Sequence, residues 1–192
     1  MFRGRIDIEL DETGLKQAEL LAEYLSHRKL EAVYSSPLKR AVQTAEAIAS
    51  HHGLDVEIAP SLNDMDFGEW QGLSVQEVEG RFNELFAAWV SDPHRVRMPS
   101  GENLDDVCQR ALAVVNQLVD KHEGTVVLVS HRVVNKVLIC ALLGLDNSHF
   151  WDVRLDTCGI TTFEFTDGRF VLAEHNNTSF LEPLNQERLS DF

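Results

Sequence analysis

The sequence predicts an α/β fold, with a mostly parallel sheet covered by helices on both faces in three layers. Three observations predict it. Short apolar stretches of strand length alternate with amphipathic stretches of helical period along the chain. One of them, Thr125-Val126-Val127-Leu128-Val129, is almost continuously β-branched, the pattern of a strand buried on both faces. Two strand-to-helix junctions, Ser35-Ser36-Pro37 and Ser130-His131, carry polar residues where open α/β sheets present their ligand crevice.

Taken in order, Leu15, Ala18, Leu21, Ala22 and Leu25 repeat at helical spacing after the turn-forming Asp11-Glu12-Thr13-Gly14. A short strand, Ala32-Val33-Tyr34, follows. Ser36 as N-cap and Pro37 at the first helical position then start a helix with Leu38, Ala41, Ala45 and Ile48 inward, closed by Gly53. Val56-Glu57-Ile58 alternates like a half-buried strand and leads into an irregular stretch, Leu62 to Gly72. Ser74 with Glu77 forms a capping box for one helix carrying Val78, Phe82, Leu85, Phe86 and Trp89. Asp92 to Gly101 reads as a loop, and Asn103 caps a long helix striped with Val107, Ala111, Val114, Val115 and Leu118. After the β-branched strand comes a helix with Val134, Val137, Leu138, Ala141 and Leu142, ended by Gly144. Asp167-Gly168 is a tight hairpin signal between Ile160–Phe165 and Phe170–Glu174. With no repeat, low-complexity tract or linker, residues 1–192 read as a single domain, with about 73–101 inserted over the site.

Composition narrows the function. Of 192 residues, 17 are Lys or Arg and 31 are Asp or Glu, a net charge of −14. That field repels DNA and anionic lipid, so neither nucleic acid nor a membrane is expected as partner. An anionic substrate then requires a local positive pocket. Cys108, Cys140 and Cys158 are widely spaced and odd in number, which reads as reduced thiols rather than a disulfide framework. No CxxC or HExxH spacing occurs, so no metal is expected. The absence of a transmembrane-length apolar run and of a signal-peptide stretch makes the cytoplasm the expected location.

The junctions carry the chemistry. Arg40 falls in the first turn of its helix, where a guanidinium can grip a phosphate bidentately; alone, such an arginine reads rather as a surface ion-pair partner of an acidic neighbour. His131 sits just beyond a strand, as a ligand-facing imidazole or one satisfied by a backbone carbonyl. Between them, the loop Leu62 to Gly72 offers Asp64, as a general acid or a turn-former.

Together these segments resemble the histidine phosphatase superfamily, the phosphoglycerate mutase-like group. The match runs in order through Arg3-Gly4 with Asp7 and Leu10-Asp11-Glu12-Thr13-Gly14; Tyr34-Ser35-Ser36-Pro37-Leu38-Lys39-Arg40-Ala41-Val42-Gln43-Thr44-Ala45; Leu62 to Gly72; and Val129-Ser130-His131, with a similar tail at Asn176-Asn177-Thr178-Ser179. The likeness covers residues 1 to about 181. It implies a phosphoglycerate mutase-like sheet and a pocket in which a histidine of an Arg-His-Gly motif attacks phosphorus. Arg40 and His131 would bind the phosphoryl oxygens, Asp64 would act as the acid, and Arg3 and Gly4 would touch substrate.

Three departures accompany the likeness. No Arg-His-Gly occurs in the chain, and His51-His52-Gly53 falls at a helix C-terminus, whose negative end does not hold phosphate. Asp64 stands where most relatives carry Glu. Arg132 replaces the usual glycine after the second histidine and either adds charge to the pocket or closes it sterically. The missing motif implies that the first central strand is missing too, and the expectation is an N-terminal truncation, with Met1 internal to a longer protein. The leading expectation is a phosphatase of small phosphomonoesters working through phosphohistidine without a cofactor. A phosphoglycerate mutase-type transferase and an inactive phospho-ligand-binding relative are the alternatives. The expected partners are a small phosphorylated substrate and, at most, a second copy in a homodimer.

Overall fold

The computed structural model describes residues 1–184. A parallel sheet is ordered β2-β1-β3, from β1 (Leu30–Ser35), β2 (Val56–Ile58) and β3 (Thr125–Val129). A separate antiparallel hairpin pairs β4 (Ile160–Thr166) with β5 (Arg169–Asn177). Asp167 and Gly168 both take positive φ, 53° and 74°, as the tight turn between those strands requires.

Layering follows from the two faces of β1, whose register shifts between Leu30 and Ala32. Leu30 and Val33 face a cluster with Leu21, Ala22 and Leu25 of α1 (Glu12–Leu25) and Ala45, Ile48 and Ala49 of α2 (Lys39–Ser50). Ala32 and Tyr34 face the other way, toward Leu118 of α5 (Leu104–Lys121). The β3 residues divide likewise, Val127 and Val129 to the first face, Val126 and Leu128 to the second. The α/β architecture with helices on both faces is therefore as expected, with one correction to β3. Its Val126–Val129 side chains are half-buried rather than buried. Among the described residues it pairs with β1 alone.

The largest core cluster lies beside the sheet, where Val134, Val137 and Leu138 of α6 (Arg132–Leu142) meet Val107, Ala111 and Val115 of α5. Residues 73–101 share this core through Val78, Trp89, Val96 and Met98. The single helix expected after Ser74 is two, α3 (Val75–Arg81) and α4 (Asn83–Ser91), broken at Phe82 with φ −132° and ψ 40°. The capping box of Ser74 with Glu77 forms, and Asn103 caps α5 in a second such box with Asp106. Leu15, expected inward, is 49% exposed because α1 turns Ala18, Leu21 and Ala22 to the core instead. The three cysteines are free thiols. Among the described residues no helix is long and apolar enough to cross a membrane.

Candidate active site

At the end of β1, Ser36 does not cap α2. The helix begins two residues later at Lys39, with Leu38 in the N-cap position and no side-chain cap. Ser36 Oγ instead lies 2.7 Å from His131 Nε2. Arg40, still in the first turn of α2, reaches back over the N-terminal segment. Its Nη1 donates to the Ile6 carbonyl at 2.8 Å and its Nη2 to the Gly4 carbonyl at 2.8 Å. The same Nη2 lies 3.1 Å from Asp64 Oδ2. Gly4 can present its carbonyl there because it has φ 48° and no Cβ; a Cβ would stand 2.6 Å from Gln71 Oε1 and 3.0 Å from the Met65 carbonyl oxygen.

His131 is the N-cap residue of α6, in extended conformation immediately beyond β3. Its Nδ1 is 3.8 Å from Asp64 Oδ2, so one carboxylate oxygen faces both the guanidinium and the imidazole. Asp64 is held from behind. Its Oδ1 accepts the Met65 N–H at 2.8 Å. Arg110 of α5 donates to three loop carbonyls, Ser61 at 2.6 Å, Asn63 at 2.7 Å and Asp64 at 3.1 Å. Glu102 fixes that guanidinium through its Nε at 2.9 Å and also binds Arg5 at 3.2 Å. A carboxylate shared between two arginines thus pins the loop that carries Asp64.

The electrostatics separate the two titratable groups. Burial pushes the Asp64 carboxyl up from 3.8 to about 6, although the Met65 N–H, Arg40 and Arg110 all pull it down. Burial pushes the His131 imidazole down from 6.5 to about 3, and the positive charges of Arg40 and Arg110 add to that. At neutral pH the imidazole is uncharged, so its contact with Asp64 is not an ion pair. The site can therefore offer a fixed cation, a neutral imidazole and a carboxyl whose protonation changes near pH 6, which is equipment for binding an anion and moving one proton.

A model of the histidine phosphatase superfamily (branch 1) matches residues 1–178. The chain belongs to this superfamily. Phosphoserine phosphatase 1 of Hydrogenobacter thermophilus is 38% identical over 181 residues, 94% of this chain and 86% of that protein. Glucosyl-3-phosphoglycerate phosphatase of Mycolicibacterium vanbaalenii is 34% identical over 155 residues, covering 74% of this chain and 67% of that protein. Among solved structures, Bacillus stearothermophilus YhfR superposes with a TM-score of 0.89 at 31% identity, covering 94% of this chain and 90% of that one.

In this member of the superfamily, the structure brings Arg40, Asp64, His131 and Gly4 together. Arg3 is exposed and touches the group only electrostatically, its charge acting after burial to lower the Arg40 pKa. Arg132 opens α6 directly after His131 and lines a neighbouring cavity. His51-His52-Gly53 follows the C-terminal end of α2. Sequence reading missed Arg110, Arg5 and the hydroxyl of Ser36. No local motif marks the arginines, since Arg110 meets carbonyls 46 to 49 residues away. Ser36 had a competing use as a helix cap. Among the described residues no group of three or more His, Cys, Asp or Glu is arranged to hold a metal ion.

Proposed function

We propose that this protein is a phosphatase of small phosphomonoesters working through a phosphohistidine, with its attacking histidine supplied by a strand outside residues 1–192. The observation that carries this is the convergence on Asp64 Oδ2 of Arg40 at 3.1 Å and His131 at 3.8 Å, from the ends of two different strands. Arg40 grips the phosphoryl oxygens and neutral His131 donates to one of them. The attacking imidazole nitrogen bonds to phosphorus as the ester P–O bond breaks, and protonated Asp64 gives its proton to the departing alkoxide oxygen. Water then attacks phosphorus, Asp64 takes the water's proton, and phosphate leaves with the imidazole restored. Positioning and positive charge do most of this work, as phosphoryl transfer requires. The relatives' names, phosphoserine and glucosyl-3-phosphoglycerate phosphatase, support the reaction class.

Support for the external strand comes from residue content and from the sheet. No Arg-His-Gly occurs in the sequence. Among the described residues the sheet ends at β3, beside His131, with no strand paired on its far side. The test compares residues 1–192 with a version extended by the codons upstream of Met1, using p-nitrophenyl phosphate hydrolysis and orthovanadate binding. The expected result is vanadate binding by both and turnover by the extended protein alone. Vanadate binding without turnover in either favours a phospho-ligand-binding relative. Full vanadate affinity in Arg40→Ala would overturn the site.

A further inference from the structure

We propose that Arg110 and Glu102 are the positioning residues of the proposed hydrolysis, holding Asp64 where its Oδ2 faces the phosphoryl group. The inference rests on the phosphatase reading above and names the pair through which its acid is aimed.

Asp64 sits on backbone that cannot hold its own shape. Residues 63–67 belong to neither helix nor strand, so the Asn63 and Asp64 carbonyls have no ladder to join. Arg110 supplies their donors. Its Nη1 donates to the Ser61 and Asn63 carbonyls, its Nη2 to the Asp64 carbonyl and to Glu102 Oε2, and its Nε to Glu102 Oε1. Those bonds use every N–H donor that a guanidinium has. Glu102 is filled in the same way. Its Oε1 also lies 3.2 Å from Arg5 Nη2, and its Oε2 accepts the Asp66 N–H at 2.9 Å. From the other side, Arg5 Nε donates to the Asp64 carbonyl at 3.4 Å.

A guanidinium and a carboxylate with no bonding capacity left are not placed to bind a ligand. Stability alone does not call for them either, since a mostly buried ion pair is often replaced by apolar side chains without loss. What their bonds share is a destination, the backbone around the acid. The mounting is rigid, because Val107 and Ala111 beside Arg110 on α5 are fully buried. An aspartate side chain is short, so the place of its backbone decides the place of Oδ2. That oxygen stands 3.1 Å from Arg40 Nη2 and 3.8 Å from His131 Nδ1. Asp66, the other acid of the loop, is turned away to Arg5 at 3.3 Å. An anion held by Arg40 and His131 therefore has the Asp64 carboxyl against it. Burial raises that carboxyl to about 6 against the pull of Arg40 and Arg110, while His131 stays neutral down to about 3.

The experiment reads the pH dependence of anion binding, which needs no attacking histidine. Calorimetric titration of residues 1–192 would use sulfate, a phosphate-shaped anion whose charge is constant between pH 5 and 7. Sulfate should bind the wild type roughly tenfold tighter at pH 5 than at pH 7, because ionised Asp64 repels it. Arg110→Lys keeps the charge but not the planar fork, so the loop relaxes, Asp64 turns to water and that ratio should fall toward one. A general weakening of the fold or of the anion grip lowers both affinities and leaves the ratio alone. Should Arg110→Lys fail to fold, Glu102→Gln, which keeps the size of the side chain but gives up one acceptor oxygen, should lower the ratio in the same way. A wild-type ratio in the folded variant would overturn the positioning role and leave the phosphatase reading standing. A ratio near one in the wild type would show that Asp64 does not face the anion, and would overturn the positioning role as well. Absence of sulfate binding at both pH values, or full sulfate affinity in Arg40→Ala, would overturn the phosphatase reading itself.

Discussion

At Asp64 and His131, burial acts on two groups of opposite charge type and draws their titrations apart. The His131 pKa is held down to about 3 from 6.5, so its stabilising contribution is fully present above pH 6.5 and is lost as pH falls toward 3. The Asp64 pKa is raised to about 6 from 3.8, so its contribution is fully present below 3.8 and is lost as pH rises through about 6. Between pH 4 and 6 the two slopes oppose one another. Urea unfolding should therefore show His131→Gln losing less stability than wild type on acidification from pH 6.5 to 4. Asp64→Asn should gain relative to wild type as pH rises from 4 to 7. Proton NMR gives a direct check, because the His131 ring should keep its neutral chemical shift down to about pH 4. A His131 that titrates near 6.5 would show that the pocket is hydrated rather than enclosed.

At the scale of elements, what was legible depended on whether the signal was local. The capping box at Ser74 and the helix cap at Asn103 are local signals, and both form, with Asp106 completing a second box at Asn103. The hairpin at Asp167-Gly168 is equally local. The break between α3 and α4 was not legible, because Phe82 continues the helical hydrophobic period and leaves it only in its backbone angles. The late start of α2 has a tertiary cause, since the Ser36 hydroxyl meets His131, 95 residues away, instead of capping the helix. In the site, Arg40 and His131 were legible as residues beyond strand ends and Asp64 as a loop acid between them, all matching an ordered family pattern. The Arg110 clamp was not, as its partners are backbone carbonyls that carry no sequence signature. The local signals make a quantitative prediction. Asn103 accepts the Asp106 N–H at 2.8 Å, and Asp106 returns the bond to the Asn103 N–H at 3.1 Å. Asn103→Ala should cost about 1 kcal/mol and lower Tm by about 2–4 °C, measured by thermal unfolding.

For the whole molecule, the decisive feature is that two β-sheets share one core without joining. Val127 and Val129 of β3 and Ile160 of β4 all pack against the α1/α2 cluster, yet among the described residues β3 pairs with β1 alone and β4 with β5 alone. An unpaired backbone row sealed inside a protein would cost about 1–3 kcal/mol for each group. The half-burial of Val126–Val129 reduces that cost, since water can reach an edge that no strand covers. The central strand differs, with Val33 fully buried and hydrogen-bonded neighbours on both sides. Amide hydrogen exchange should register the asymmetry, with β3 exchanging faster than β1 in residues 1–192. A strand docking along the β3 edge would bring its own side chains up to the end of β3, next to His131, where the proposed reaction needs its nucleophile. In the upstream-extended protein, β3 exchange should therefore slow toward the β1 rate, and turnover should appear in the same sample. Protection of β3 already equal to that of β1 in residues 1–192 would mean that its edge is closed by other means and that no strand is awaited there.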